Sequence, residues 1–258
     1  MMKALFPLSE SDLDFLISAV APDVSDKGRL RTLLTTDEDF RNAFIQDENT
    51  FKKIMSDEEA FLRISPRLYF EVLLRKTRQD LQAADYTIEK SGQQKIAVFD
   101  TPDVNALLSK QEILLYLSDM LASFTKVESY TLSYQVREGI WRRARFNDLD
   151  IDSLIAFCDL IGEEHRLGFF KRIADICLFV VGLFPEYVQQ SSRYLMSGEL
   201  RPQLPGLLRK TMQEYEQQGK LFYELAAEHP AARTDRIAEV FELLHENFNT
   251  AKKPLNFL

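Results

Sequence analysis

The chain has 258 residues, 28% charged and 45% apolar, with a formal net charge of −8. A chain of that size buries roughly 70–75% of its unfolded surface without a metal or disulfide staple, and its apolar content excludes wholesale disorder. An acidic surface repels phosphate backbones, which argues against a nucleic-acid partner.

The acidity is concentrated at the start, where residues 1–65 carry 13 acidic and 8 basic side chains. The opening MMKALFPLSE has too short an apolar run for a signal-peptide core. Ser11 precedes a first amphipathic helix that runs to Val20 and is stopped by Pro22. Three segments, TDEDFRNAFI, QDENTFKKIM and SDEEAFLRIS, then repeat with a spacing of ten, aligning Asp37, Asp47 and Asp57. Acidic residues leading each unit suit the positive end of a helix, so a staircase of three short helices is expected.

Ser65-Pro66 starts the clearest helix, with serine as cap and proline in the first turn. Phe70, Leu74, Thr77, Leu81 and Ala84 share one face; Arg67, Glu71, Arg75, Arg78 and Gln82 line the other, with Glu71 and Arg75 spaced for a surface ion pair. Residues 86–100 alternate around Ser91-Gly92 and read as a β-hairpin. Helices resume at Thr101-Pro102, and Ser109 with Glu112 forms a capping-box pattern for a helix facing inward through Ile113, Leu117, Met120 and Phe124. Partial alternation over residues 127–146, with a turn at Glu138-Gly139, reads as a second hairpin.

From Asp152 the pattern is helical nearly to the end. One helix stops at Gly162, and another spans about 164–183 and contains Ile176 to Phe184, nine residues with no charge. Nine apolar residues cannot cross a bilayer, so this is a core helix wrapped by its neighbours, with no membrane involved. Pro185 opens a segment to about Met196, SGELRPQLPG is a loop, and a helix over 206–228 carries the stripe Leu208, Thr211, Tyr215, Gln218, Phe222 and Leu225. A last helix begins at Thr234 with Ile237, Phe241, Leu244 and Phe248 inward, and the tail NTAKKPLNFL reads as irregular.

Four places could carry chemistry. Glu242 and His245 form one Glu-x-x-His pair, the spacing used by helical carboxylate-bridged metal sites, which normally need it twice. Asp175 is a carboxylate in the most apolar helix, with Lys171 and Arg172 close enough to pair with it. DLDIDSLIAFCD places Asp148, Asp150 and Asp152 like the start of a calcium loop, but Ser153 stands where glycine is needed and Asp159 where glutamate is needed. Asp150 and Asp152 fit better as cap and first-turn residues of the next helix. WRRARF interleaves Trp141 and Phe146 with Arg142, Arg143 and Arg145, a surface patch suited to stacking and to anionic groups. Of the remaining histidines, His165 follows Glu163-Glu164 and His229 precedes Pro230 in a loop. No glycine-rich phosphate loop, nucleophile elbow or Cys-x-x-Cys is present.

The expectation is a mainly α, multi-helix bundle around a buried central helix at about 164–183, with one or two small hairpins. Residues 1–258 form a single compact helical domain, and residues 1–64 are an acidic helical sub-region packed on its core. Two cysteines in apolar helices fit reduced, buried thiols and a cytoplasmic setting. The first functional expectation is a non-enzymatic protein-interaction or regulatory module, with a protein partner or homo-oligomer and no cofactor. The alternative is a metal- or small-ligand-dependent helical-bundle enzyme using a divalent metal at Glu242 and His245, helped by Asp175 and His165.

Overall fold

A computed structural model describes residues 8–57, 59–83, 87–91, 94–98, 100–126, 129–137, 139–188, 210–235 and 237–258. The molecule is mainly α-helical, and its described strands form two separate two-stranded antiparallel sheets. Contacts divide the chain into two compact units, one of residues 1–86 and 99–125 with Leu258, the other of residues 87–98 and 126–257.

The first unit begins with α1 (Glu10–Val20), α2 (Lys27–Thr36), α3 (Glu38–Gln46), α4 (Glu48–Ser56) and α5 (Ala60–Arg63). The cap of α1 is Ser9 rather than Ser11: its hydroxyl accepts from Asp12 N while Asp12 Oδ2 accepts from Ser9 N, which completes a capping box. Asp12 Oδ1 also accepts from Ser65 N at 2.7 Å, so one buried carboxylate ties the start of α1 to the cap of α6 (Pro66–Gln82). The staircase forms as expected in its first two steps, where Asp37 and Asp47 each close one helix and cap the next. In the third step helix formation shrinks to the single turn of α5, which has Glu59 at its cap and no side-chain hydrogen bond there.

Helix α6 packs on α3, α4, α7 (Thr101–Ser109) and α8 (Gln111–Ser123). With neighbours on several sides it buries two faces, and Glu71 and Arg75 are 3% and 5% exposed. Their pair is therefore a buried one, not the surface pair expected. Arg75 Nη2 reaches Glu71 Oε1 at 2.7 Å and Asn42 Oδ1 at 2.7 Å, giving the buried charges the hydrogen bonds that make burial tolerable. The Ser109–Glu112 capping box does not form: α8 is capped by Lys110 without a side-chain bond, and Ser109 Oγ donates back to the Ala106 carbonyl.

The second unit holds β1 (Thr87–Ser91) and β2 (Gln94–Val98), then β3 (Ser129–Arg137) and β4 (Ile140–Asn147), both hairpins where alternation places them. The second turns at Gly139, whose φ of 78° is a conformation that glycine adopts without a Cβ penalty. After β4 come α9 (Ile151–Cys158), a short 3-10 turn (Glu163–His165) and the apolar helix α10 (Leu167–Leu183). Asp150 caps α9 by accepting from Ser153 N, as its position predicts.

Helix α10 is the buried centre of this unit, contacted by α9, α11 (Met212–Glu228) and α14 (Phe248–Leu255). Ile173, Ile176, Leu178, Val180 and Val181 are all buried, and each contributes about 1.5–3 kcal/mol on removal from water. Among the described residues no helix is long and apolar enough to cross a membrane. The segment expected between 189 and 209 lies outside the described residues. Helix α11 starts at Met212, later than expected, because Thr211 serves as its cap in a box with Glu214 instead of as part of the apolar stripe. The final region is also more helical than expected. Short α12 (Pro230–Thr234) precedes α13 (Ala238–Glu246), and residues 249–255 of the supposed irregular tail continue from Phe248 as α14, with Phe248, Ala251 and Leu255 buried.

The packing of α10, α11 and α14 turns on Gly219. A Cβ there would overlap the Phe248 ring and lie 3.0 Å from Cys177 Cβ. Gly219→Ala should lower stability by about 1–3 kcal/mol, despite alanine's better helix propensity. A denaturant midpoint at or above wild type would show that the helices are not packed this closely.

Candidate functional site

The deepest polar group of the second unit is Asp175, fully buried on α10. Lys171, one turn earlier, brings Nζ to 2.6 Å from Oδ2, and Tyr223 on α11 donates its hydroxyl to Oδ1 at 2.9 Å. Lys171 keeps its stem on the helix and 37% of its side chain exposed, so the ion pair links the core to the surface. Arg172 reaches Asp148, with Nη2 2.6 Å from Oδ2 and Nε donating to the Asp148 carbonyl at 3.1 Å. This second pair spans α10 and the end of β4, and it engages the aspartate that would open a calcium loop; Asp150 is occupied as the α9 cap. The Asp175 cluster is thus an anchor between α10 and α11, a task that a buried and partnered carboxylate performs without a substrate.

Tyr223 is the residue sequence reasoning missed here. It stacks at 6.1 Å from the Phe241 ring, which sets its hydroxyl toward α10. An aromatic stripe signals core, but nothing in one helix's spacing says which tyrosine meets a carboxylate on another.

The Glu242–His245 pair lies on α13 and lines an open cleft of about 440 Å³ with Glu224, Glu228, Arg233 and Glu246. His245 Nδ1 donates to the Lys220 carbonyl at 3.0 Å. Four carboxylates against one guanidinium make the cleft suited to a cationic group and hostile to an anionic one. Glu224/Glu228 and Glu242/Glu246 each repeat at a spacing of four, a visible signal, but their facing across α11 and α13 needed the fold. Among the described residues, no group of three or more His, Cys, Asp or Glu is arranged to hold a metal ion. His165 is exposed in its 3-10 turn and sits next to Glu164 rather than with His245. His229 is the single non-helical residue between α11 and α12, and it caps α12. Its Nδ1 accepts from Ala231 N, and its Nε2 faces the Glu163 carbonyl at 2.8 Å.

The WRRARF segment forms β4. Ladder register sets Trp141 opposite Gln135, Arg142 opposite Tyr134, Arg143 opposite Ser133 and Arg145 opposite Thr131. Ile140 and Trp141, just past the turn, are 53% and 63% exposed, and Arg143 is exposed as well. Of the expected patch of Trp141, Arg142, Arg143 and Arg145, Trp141 and Arg143 are exposed, and the side chains of Arg142 and Arg145 lie outside the described residues.

No family model, curated protein or solved structure matches the chain.

Two measurements follow from this geometry. Asp175→Asn and Tyr223→Phe should each lower stability by about 1–2 kcal/mol through loss of a charged or neutral hydrogen bond; unchanged midpoints for both would dismiss the anchor. Burial pushes the Cys158 thiol up to about 11 and raises Cys177 as well. Both thiols should stay unlabelled by a disulfide reagent at pH 8 until the protein is unfolded. Because the folded pKa of Cys158 lies above its ordinary value of 9.0, its contribution to stability is present below pH 9 and is lost as the pH rises toward about 11. Rapid labelling of native protein would contradict that burial.

Proposed function

We propose that the chain is a non-enzymatic protein-interaction module whose docking element is the β3–β4 hairpin. The observation that carries this reading is the exposure of Trp141, and of Ile140 on the opposite strand face, at the turn end of a two-stranded ribbon. Single exposed apolar residues are ordinary on a protein surface. A tryptophan with more than half its surface in water, on the same strand face as the exposed Arg143, matches the residue types that dominate protein interfaces. The buried polar clusters support the same reading, because Asp175, Glu71 and Arg75 are engaged within the fold. A cytoplasmic setting belongs to this proposal, supported by the two buried thiols left as free cysteines.

A metal- or ligand-dependent enzyme is the second reading. What favours it is the open cleft that places Glu242 and His245 with Glu224 and Glu228. Elemental analysis of untagged protein, followed by His245→Ala, separates the two: stoichiometric metal that the substitution releases would favour the enzyme.

The docking reading is tested by comparing tagged wild type with Trp141→Ala in native extracts. Wild type should retain a stoichiometric partner, and Trp141→Ala should retain at least fivefold less at an unchanged melting temperature. Equal retention by both proteins would remove the hairpin from the interface.

A further inference from the structure

A two-stranded ribbon has two outer edges, and those of β3–β4 differ in charge. On β3, the stretch SYTLSYQ from Ser129 to Gln135 has no charged residue, whereas β4 carries Arg142, Arg143 and Arg145. No described strand pairs with the outer edge of either one. Helix α9 packs against β4, the strand it follows. The shorter hairpin is charged on both strands, with Glu89 and Lys90 on β1 and Lys95 on β2. Charges along an edge keep strands from pairing with other chains. Residues 129–135 of β3 lack that protection. Their ladder to β4 is also regular, because the register shift falls between Gln135 and Arg137.

We infer that the outer edge of β3 is an interface to a second copy of this chain, paired antiparallel about a two-fold axis at Leu132. A two-stranded hairpin is marginal on its own in water, and a third and fourth strand stabilise it. The sequence is self-complementary about that axis. Leu132 meets Leu132 of the second copy, Thr131 meets Ser133, Tyr130 meets Tyr134 and Ser129 meets Gln135. Like residue types face one another, and no charge faces another charge. The edge of β4 does not allow this. An axis at Arg142, Arg143 or Arg145 sets an arginine against itself, and an axis at Ala144 sets Arg143 against Arg145. Pairing through identical edges also closes after two copies, whereas β3 against β4 would continue into a filament. In the closed pair the two turns point to opposite ends of a four-stranded sheet, with each Trp141 on an outer strand. The inference therefore goes beyond the docking reading and does not depend on it.

The full chain is measured by sedimentation over a wide concentration range, where its mass should rise toward twice 29.9 kDa. The informative variant is Thr131→Glu with Ser133→Glu. Within one chain the new carboxylates lie opposite Arg145 and Arg143, which favours the hairpin. Across the axis they face each other, so association should weaken about tenfold or more at an unchanged or higher melting temperature. Thr131→Gln with Ser133→Gln, similar in size but uncharged, should still associate. A monomer at every concentration, a dimer indifferent to the glutamates, equal loss with the glutamines, or growth past two copies overturns the inference and leaves the Trp141 reading standing. A dimer abolished by Trp141→Ala assigns association to the turn end, which overturns the inference and supports docking there. If the Trp141 comparison in extracts shows equal retention, the docking reading falls and a glutamate-sensitive dimer still supports the inference.

Discussion

A carboxylate placed inside the most apolar helix of a protein must be met by donors or it unfolds what surrounds it. Asp175 meets that constraint with donors that include Lys171 on its own helix and Tyr223 on α11. Tyr223 can reach it in one register of α11 against α10 only. One turn earlier on α11, Gly219 allows the close approach that brings Cys177 and the Phe248 ring into contact distance. A polar bond and a close backbone approach, four residues apart on α11, thereby fix the same interface from two sides. Sliding one helix by a turn would strand the carboxylate and drive a side chain into Phe248.

The first unit solves the same problem with different groups. Its hydrophobic cluster runs from Leu13 and Leu16 through Leu34, Ile45 and Ile54 to Leu68 and Val72. Short helices leave many orphan backbone groups, and buried polar side chains satisfy them. Asp12 accepts from Ser9 N and Ser65 N, Arg41 donates to the Leu34 and Thr35 carbonyls at the end of α2, and Thr50 donates to the Phe44 carbonyl. Burial pushes the Arg41 guanidinium below its ordinary pKa range, with Glu71 and Glu38 opposing that shift.

What was legible in the sequence is what depends on neighbouring residues. Ser65-Pro66, Asp37, Asp47 and Asp150 cap helices where local chemistry says they should, and both hairpins sit where alternation puts them. Errors arose where two local patterns competed or where a partner lay far along the chain. Thr211 and Glu214 have capping-box spacing, yet Thr211 also fits a heptad stripe with Leu208 and Tyr215; Thr211 caps the helix, while Tyr215 and Phe222 of the stripe are buried. Near the C-terminus, Phe248, Ala251 and Leu255 have helical spacing that Pro254 obscured, and the helix ends one residue after that proline. Glu71 and Arg75 read the same whether a neighbouring helix covers them or water does. Of the candidate residues, Glu242, His245 and Trp141 could be singled out by type and spacing. The glutamates that share the cleft with His245, and the tyrosine on Asp175, required the folded chain.

Asp37 and Asp47 each belong to two helices at once, ending α2 or α3 by backbone and starting α3 or α4 by side chain. These joints contain no spare residue. Adding or deleting one amino acid at either joint would rotate the following helix by roughly 100° and turn its apolar face, Phe44 and Ile45 or Ile54, away from the interior. Related chains that drift in sequence can therefore exchange residue types along this staircase, but insertions and deletions will collect in other parts of the molecule.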